Sequence, residues 1–444
     1  MSSDRADRLD WRVEPCGPLL GEMAIPGDKS VSHRAIMLGS LAEGVTTIDG
    51  FLEGEDTLAT AAIFAQLGVR IEVPAAHRRI VHGVGMLGLQ PTTESLDCGN
   101  AGTAMRLLAG LLAGQRFDCE LSGDASLSRR PMGRVIEPLG LMGARIDSQS
   151  GRPPLRIHGG QALRGIDYQP PVASAQIKSA LLLAGLQASG TTRVREIRPT
   201  RDYTERMLQA FGWPVRIDGD AVSVEGGGQG RGRELRVPAD FSSAAFAIVA
   251  AAVTPGSDVR LPAVGVHARK KNRRVGLWHA LQAMGADIQV ENQVLAEEGP
   301  RADLRIRGGR LRGVDVASAW VPDMIDEFPA LFVAAAAAEG VTRIRGAAEL
   351  RVKESDRLAV MATALKHMGV RLQEYEDGID IEGGPLQGAQ MDSAGDHRCA
   401  MALCIAAGLA KGESLIRDCR NVDTSFPGFA DHWNALGGRI TTMS

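Results

Sequence analysis

The chain is short of aromatic residues. Phe, Trp and Tyr make up only 4 % of its 444 residues, which argues against a site that grips bases or sugars by ring stacking. It also lacks a charge excess. Fifty Lys and Arg against 53 Asp and Glu leave a formal net charge of −3, so no bulk basicity marks a nucleic-acid binder. Its six cysteines, Cys16, Cys98, Cys119, Cys399, Cys404 and Cys419, form no CxxC pair and no His/Cys cluster with zinc spacing. They read as small buried thiols in a reducing compartment. A membrane span needs about 20 apolar residues, and the Ala-rich stretch at 330–338 is too short. Residues 1–15 are charged and polar, without the apolar core and cleavage site of a secretory signal. These absences predict a cytoplasmic protein with no membrane partner. The strings GxSxG, HExxH and GxxxxGK[ST] are missing too; DKSVSHR at 28–34 shares only a Lys-Ser pair with the last of them.

What is abundant is glycine: 53 of 444 residues, about 12 % where ~7 % is usual. Much of the excess follows an internal repeat. One phrase, an apolar helix end, Gly, then a strand-like segment, recurs at Gly68, Gly143, Gly212, Gly285, Gly369 and Gly437, with spacings of 75, 69, 73, 84 and 68. A second phrase precedes each of these: an Ala/Leu-rich run ending in Gly44, Gly114, Gly190, Gly256, Gly340 or Gly412, then a β-type segment. Glycine just past a periodic apolar run predicts a helix C-cap with positive φ. Each unit of about 74 residues (444/6) therefore reads buried helix, Gly cap, strand, linker, amphipathic helix, Gly cap, strand. Units this small must share cores, three to a domain.

The starts of the buried helices carry polar residues. They are Asp28, Lys29, Ser30 and Arg34; Asn100, Gly102 and Thr103; Ser174, Gln176 and Lys178; Asp240 and Ser242; Asp323, Asp326 and Glu327; and Asp396, His397 and Arg398. Capping of orphan amides accounts for Asp28, Asn100, Asp240 and Asp396. It does not account for Lys29, Arg34 or Arg398, because the helix dipole opposes a cation at its N-terminus. A bound anion removes the conflict. Further cations lie in loops at Arg129, Arg130, Arg134 and Arg201. Lys353, Glu354 and Arg357 form an acid/base set; the i, i+4 spacing of Lys353 and Arg357 places them on one helix face. Such a set can bind an anion and move a proton.

The strings PGDKSVSHR, NAGTAMR, RRPMGR, SAQIKSALLLAGL, RDYTERML, ELRVKESDR, DHRCAM and TSFPGF occur in that order between about residues 15 and 441. Together they resemble the 5-enolpyruvylshikimate-3-phosphate synthase family of enolpyruvyltransferases. The resemblance implies an α/β fold: a two-domain inside-out α/β barrel of six βαβαββ repeats, three per domain. Residues 1–26 and 241–444 would form one domain and 27–240 the other, with the active site in the cleft between them. It implies transfer of the enolpyruvyl group of phosphoenolpyruvate to the 5-hydroxyl of shikimate 3-phosphate, with release of phosphate, on the route to chorismate and the aromatic amino acids. It further implies a monomer that uses no metal and no organic cofactor and that closes over its substrates.

Carried over by resemblance, Lys29, Ser30, Arg34, Ser174, Ala175, Gln176, Arg201, Asp326 and Lys353 would bind shikimate 3-phosphate. Lys29, Asn100, Gly102, Arg130, Gln176, Arg357 and Arg398 would bind phosphoenolpyruvate, with Asn100 supporting the loop at Gly102. Asp326 would take the proton of the 5-hydroxyl. Glu354 is the candidate for the methylene proton, with Lys353 or Lys29 near it. The sequence departs from many members in having Thr424 where they carry Lys, and SAQ for SSQ at 174–176. Two alternatives remain at this level. UDP-N-acetylglucosamine enolpyruvyltransferase has the same fold but looks for a loop Cys, and SGDASLSRRP has none. A non-catalytic anion-binding protein of this fold would need no acid/base pair such as Asp326 and Glu354.

Overall fold

A computed structural model describes residues 9–266, 276–296 and 299–443. Residues 1–8, part of the segment 1–26 considered above, lie outside it. Six helices rich in Ala, Leu and small residues form the interior: Lys29–Leu41, Gly102–Leu112, Ala175–Gly185, Phe241–Val253, Phe328–Ala337 and His397–Leu409. Every residue of Phe241–Val253 is buried, as expected of a helix that is apolar on all faces. Small side chains let these helices approach closely: a Cβ on Gly110 would lie 2.1 Å from the carbonyl oxygen of Ala180 on the neighbouring helix. No helix among the described residues is long and apolar enough to cross a membrane.

The second set of helices is shorter and only partly buried, as in Tyr203–Ala210 and Arg357–His367. Each ends in one of the six repeat glycines from Gly68 to Gly437, all with φ between 85° and 103°. The residue after each glycine donates to the carbonyl five positions back, for example Val69 to Phe64 at 2.9 Å and Gly438 to Trp433 at 3.0 Å. This is the Schellman closure, and it requires the left-handed glycine. The other set behaves differently. Gly44, Gly190, Gly256, Gly340 and Gly412 have positive φ, and Gly114 does not. They do not cap the inner helices, which end in the caps Ala42, Ala113, Leu186, Thr254, Ala338 and Ala410. The glycines instead turn the chain into the following strand.

The outer helix leads into a hairpin, not the single strand read from the sequence. In one unit, Leu96–Asp97 runs parallel to Cys119–Ser122, which pairs antiparallel with Arg152–His158, itself paired with Arg145–Gln149. This βαβαββ pattern recurs around two lobes, with helices inside and sheets outside. In the unit of helix Phe328–Ala337 the parallel strand is reduced to the isolated bridges Arg312↔Glu339 and Asp315↔Arg343.

Buried hydrophobic side chains fall into two cores. One draws on residues from Val31 to Val237, the other on Trp11 to Ile25 and Ala239 to Ile440. The cores are laced together by an exchange of strands. Leu20–Glu22 precedes helix Lys29–Leu41 yet pairs in parallel with Asp258–Gly265 in the other lobe. Glu234–Arg236 precedes helix Phe241–Val253 yet pairs with Glu43–Asp49. The two connecting segments lie side by side: the Asp28 amide donates to Pro238 at 2.7 Å, and the Asp240 amide to Pro26 at 2.8 Å. The N-terminal strand Asp10–Val13 is held between Ser414–Arg417 and Ile440–Met443.

Candidate active site

The inner helices of both lobes direct their N-termini at one polar cleft. Lys29, Ser30, Arg34, Gly102, Arg130, Ser174, Ala175, Gln176, Arg201, Asp326, Lys353, Glu354 and Arg398 all line it. Four helix starts are capped by side chains: Asp28 accepts from Val31, Ser174 from Ile177, Asp240 from Ser242, and Asp396 from Arg398 and Cys399. Asn100 is not a cap, contrary to the reading above. The N-cap there is Ala101, and the Asn100 side chain instead donates to Asp124 at 2.6 Å and accepts from Arg130. The helix at Phe328 likewise has Glu327 as N-cap with no side-chain bond to its amides. Of these two starts, only the one at Gly102 and Thr103 lines the cleft, where a ligand anion can approach its amides.

Asn100 and Arg357 stand behind the lining layer. Arg357 is fully buried. It donates from Nε to Asp396 at 2.8 Å and from Nη2 to Glu354 at 2.5 Å, and its Nη1 lies 3.5 Å from Asp326. These three carboxylates outweigh burial and raise its guanidinium further, so it is charged at any working pH. The helix-face reading of Lys353, Glu354 and Arg357 is corrected. The helix begins only at Arg357, because Asp356 caps it by accepting from Ala359. Lys353 and Glu354 belong to the preceding bend, which follows the 3-10 turn Ala348–Val352. The bend brings both to the cleft, while Arg357 supports Glu354 from behind.

Charge dominates this site. Burial alone would raise the Asp326 carboxyl, but Arg398, Arg201, Lys353 and Arg357 hold it well below its ordinary range. Burial would likewise raise Glu354, and Arg357 and Arg130 overcome it. Both groups are carboxylates at neutral pH. Burial lowers the Lys353 ammonium, with Asp326 and Glu349 opposing. Burial also pulls Arg34 down to about 10, which leaves it charged. Its guanidinium donates to Thr204 at 2.7 Å, Ser30 at 2.9 Å and Ser179 at 3.0 Å.

Several lining residues were not singled out from the sequence: Asp56, Arg106, Thr200 and Glu349; Arg134 and His397, read there only as a loop cation and a polar helix start, line the cleft too. Asp56 is buried and pairs with Lys29. Arg106 donates to the Gln176 side-chain oxygen at 2.8 Å, and Gln176 donates to Thr103 at 2.9 Å. Arg106 had a signal, lying four residues after Gly102 on the same helix. Burial, with Lys29 and Arg398 beside it, pushes the His397 imidazole well below its usual range. His397 is therefore neutral, and its Nε2 finds no hydrogen-bond partner among the described residues.

Ion pairs bridge the cleft. Arg201 reaches Asp326 at 2.9 Å, Arg134 reaches Glu349 at 3.2 Å, and Arg130 reaches Glu354 at 3.4 Å. In each pair the cation comes from the lobe with the Val31–Val237 core and the carboxylate from the other. A second bridge lies near the first turn of helix Glu55–Gln66: Arg420 pairs with Glu55 at 2.9 Å, and a Cβ on Gly54 would lie 2.5 Å from the Thr424 carbonyl oxygen. The two lobes are thus brought together, with guanidinium forks from one facing carboxylates of the other. Such forks suit phosphate and carboxylate ligands.

Comparison with known proteins fits this geometry. The family model for EPSP synthase (3-phosphoshikimate 1-carboxyvinyltransferase) matches residues 13–433. The 3-phosphoshikimate 1-carboxyvinyltransferase of Xanthomonas euvesicatoria pv. vesicatoria (strain 85-10) is 62 % identical over 422 residues, 94 % of each chain. That of Xanthomonas campestris pv. campestris (strain B100) is 61 % identical, covering 94 % of this chain and 95 % of its own. A solved EPSP synthase from Acinetobacter baumannii superposes with a TM-score of 0.87 at 49 % identity, over 98 % of this chain and 100 % of that one.

Proposed function

The chain belongs to the EPSP synthase family, and from that premise we propose how its cleft divides the work of the reaction. Phosphoenolpyruvate gives its enolpyruvyl group to the 5-hydroxyl of shikimate 3-phosphate, and inorganic phosphate leaves. The oxygen–hydrogen bond of the hydroxyl breaks and its oxygen joins C2 of phosphoenolpyruvate, while a proton enters at C3. The tetrahedral intermediate then expels phosphate as a proton leaves C3, which restores the double bond. Every atom is accounted for by the two substrates and a proton carried by side chains.

The observation that carries the assignment is the pair of carboxylates, Asp326 and Glu354, each held ionised on the cleft wall by cations. Asp326 is the base for the 5-hydroxyl: it is a carboxylate before substrate arrives and lies within reach of Arg201 and Lys353, the acceptor-side cations. Ser30, Arg34, Ser174, Ala175, Gln176, Arg201 and Lys353 hold shikimate 3-phosphate. Lys29, Gly102, Arg130 and Arg398 face phosphoenolpyruvate, with Gln176 and Lys29 shared. Asn100 and Arg357 act through neighbours, fixing Arg130 and Glu354.

Glu354 takes the C3 proton as phosphate leaves. Delivering that proton earlier requires Glu354 to be protonated, and the guanidinium groups of Arg357 and Arg130 oppose this. A bound dianion that draws Arg130 to itself weakens the hold on Glu354 and lets its pKa rise. The surrounding guanidinium groups stabilise the charge of the intermediate.

The lobes serve as domains, 27–240 and 1–26 with 241–444. The two separate cores and the exchanged strands support that division. Both sides of the cleft come from one chain, which supports a monomer as the working unit, and the cytoplasm is the compartment the composition favours. Phosphate release tests the assignment. Release from phosphoenolpyruvate should depend on shikimate 3-phosphate; release only with UDP-N-acetylglucosamine would overturn it.

A further inference from the structure

Lys178 is an unusual residue for an inner helix. Its side chain is 1 % exposed, on a helix in which every residue after it is Ala, Leu, Ser or Gly. Taking an ammonium out of water is costly unless it is paired, and here it is paired twice. Nζ lies 2.9 Å from Glu196 and 2.5 Å from Glu205, itself buried. None of the three lines the cleft. Glu196 extends the pairing. Its Oε1 also accepts from the backbone amide of Thr200 at 2.9 Å and from the Thr200 hydroxyl. Thr200 and the next residue, Arg201, are both on the cleft wall. On the other side, Ser179 follows Lys178 on the helix. It accepts from Thr204 at 2.7 Å and from Arg34 at 3.0 Å, and Thr204 accepts from Arg34 at 2.7 Å. The ordering of Thr200 and Arg201 is thereby anchored to a buried cation that no substrate reaches.

We infer that Lys178, through Glu196, is a positioning residue for the acceptor end of the cleft. It fixes the loop that presents Thr200 and Arg201, and so sets the affinity for shikimate 3-phosphate without touching it. The inference rests on the assignment of Arg201 to that end.

The test separates positioning from mere stability. Lys178→Met alone strands the buried Glu205 and the half-buried Glu196 and can fail to fold, so it is replaced by the pair Lys178→Met with Glu205→Gln, and by the single Glu196→Gln. In both, the KM for shikimate 3-phosphate should rise about tenfold while the KM for phosphoenolpyruvate stays within about twofold. Values are taken per active site, after titration. A purely structural cluster would lower the melting temperature and the active fraction and leave both KM values alone; that result overturns the inference. Arg201→Ala is the control. If it raises the KM for shikimate 3-phosphate and the cluster variants do not, only the role of Lys178 falls. If Arg201→Ala has no effect, the assignment of the acceptor end falls, and the inference with it.

Discussion

Arg201 donates from Nη2 to Oδ2 of Asp326 at 2.9 Å, across the cleft from one lobe to the other. Asp326 thus bridges the lobes and, in the assignment proposed above, also serves as the base for the acceptor hydroxyl. Asp326→Asn separates the two roles. It keeps the shape and removes the charge, and turnover should fall by about 10²–10⁴-fold. Its effect on stability has a defined sign. The carboxyl is lowered in the folded protein, so its contribution is present above the unfolded pKa near 4 and is lost as pH falls through the folded value. Thermal melts should show the variant below the parent at pH 7, with the gap closing as pH drops below about 4. A gap independent of pH would rule out ionised Asp326 as its source.

Glu354→Gln should act on turnover and spare binding. The amide keeps the volume beside Arg357 and Arg130 but cannot cycle a proton. We expect kcat to drop by about 10²-fold or more, with phosphoenolpyruvate binding by calorimetry in the presence of shikimate 3-phosphate equal or tighter, since Arg130 is freed. Near-normal turnover would remove Glu354 from the proton path.

Gly54 tests the joining of the lobes. Its backbone, φ −82° and ψ 151°, suits any residue, so nothing within its own helix start demands glycine. The obstacle to a side chain is the Thr424 carbonyl of the other lobe, 2.5 Å from where Cβ would stand. Gly54→Ser supplies a good N-cap and keeps the clash. Expected are a loss of kcat/KM of about tenfold or more and a larger radius of gyration than the parent's with both substrates bound. Normal compaction in solution scattering would show that this contact does not govern closure.

Glycine substitutions should divide by cause. Gly212 has φ +91° and open space around it, so Gly212→Ala costs backbone strain alone, about 1 kcal/mol. Gly110 sits in regular helix, but a Cβ would be 2.1 Å from Ala180 O. Gly110→Ala must push two inner helices apart and should cost more, above about 2 kcal/mol. Denaturant melts that rank them the other way would refute this division.

The repeat was readable because its glycines obey local rules. A left-handed residue after an amphipathic helix is required by that helix alone, whatever it packs against, and Gly68 through Gly437 all satisfy it. The exchange of Leu20–Glu22 and Glu234–Arg236 left no such mark. Each strand precedes an inner helix like its counterparts in the other units, and only distant pairing distinguishes it. Among site residues, the basic helix starts stood out because they conflict with the helix dipole, as at Lys29, Arg34 and Arg398. Asp56 and Glu349 sit where an acidic residue is ordinary, and only folding reveals the cations they face. The Lys353–Arg357 spacing misled because the Asp356 cap shifts the helix start past the first two residues of the set.

The strand exchange also bears on how the protein is made. The sheet begun by Glu43–Asp49 lacks its edge until residue 236 has been synthesised. The sheet begun by Leu20–Glu22 waits for residue 258. Asp10–Val13 completes its pairing only with Ser414–Arg417 and Ile440–Met443. A nascent chain thus leaves the ribosome with its first strands unpaired for most of translation, exposing edges that invite association. The lobe built on residues 241–444 cannot be finished from an uninterrupted stretch of sequence, so a fragment cut off at residue 240 would lack Asp10–Val13 and Leu20–Glu22, which the 1–240 fragment would carry unpaired.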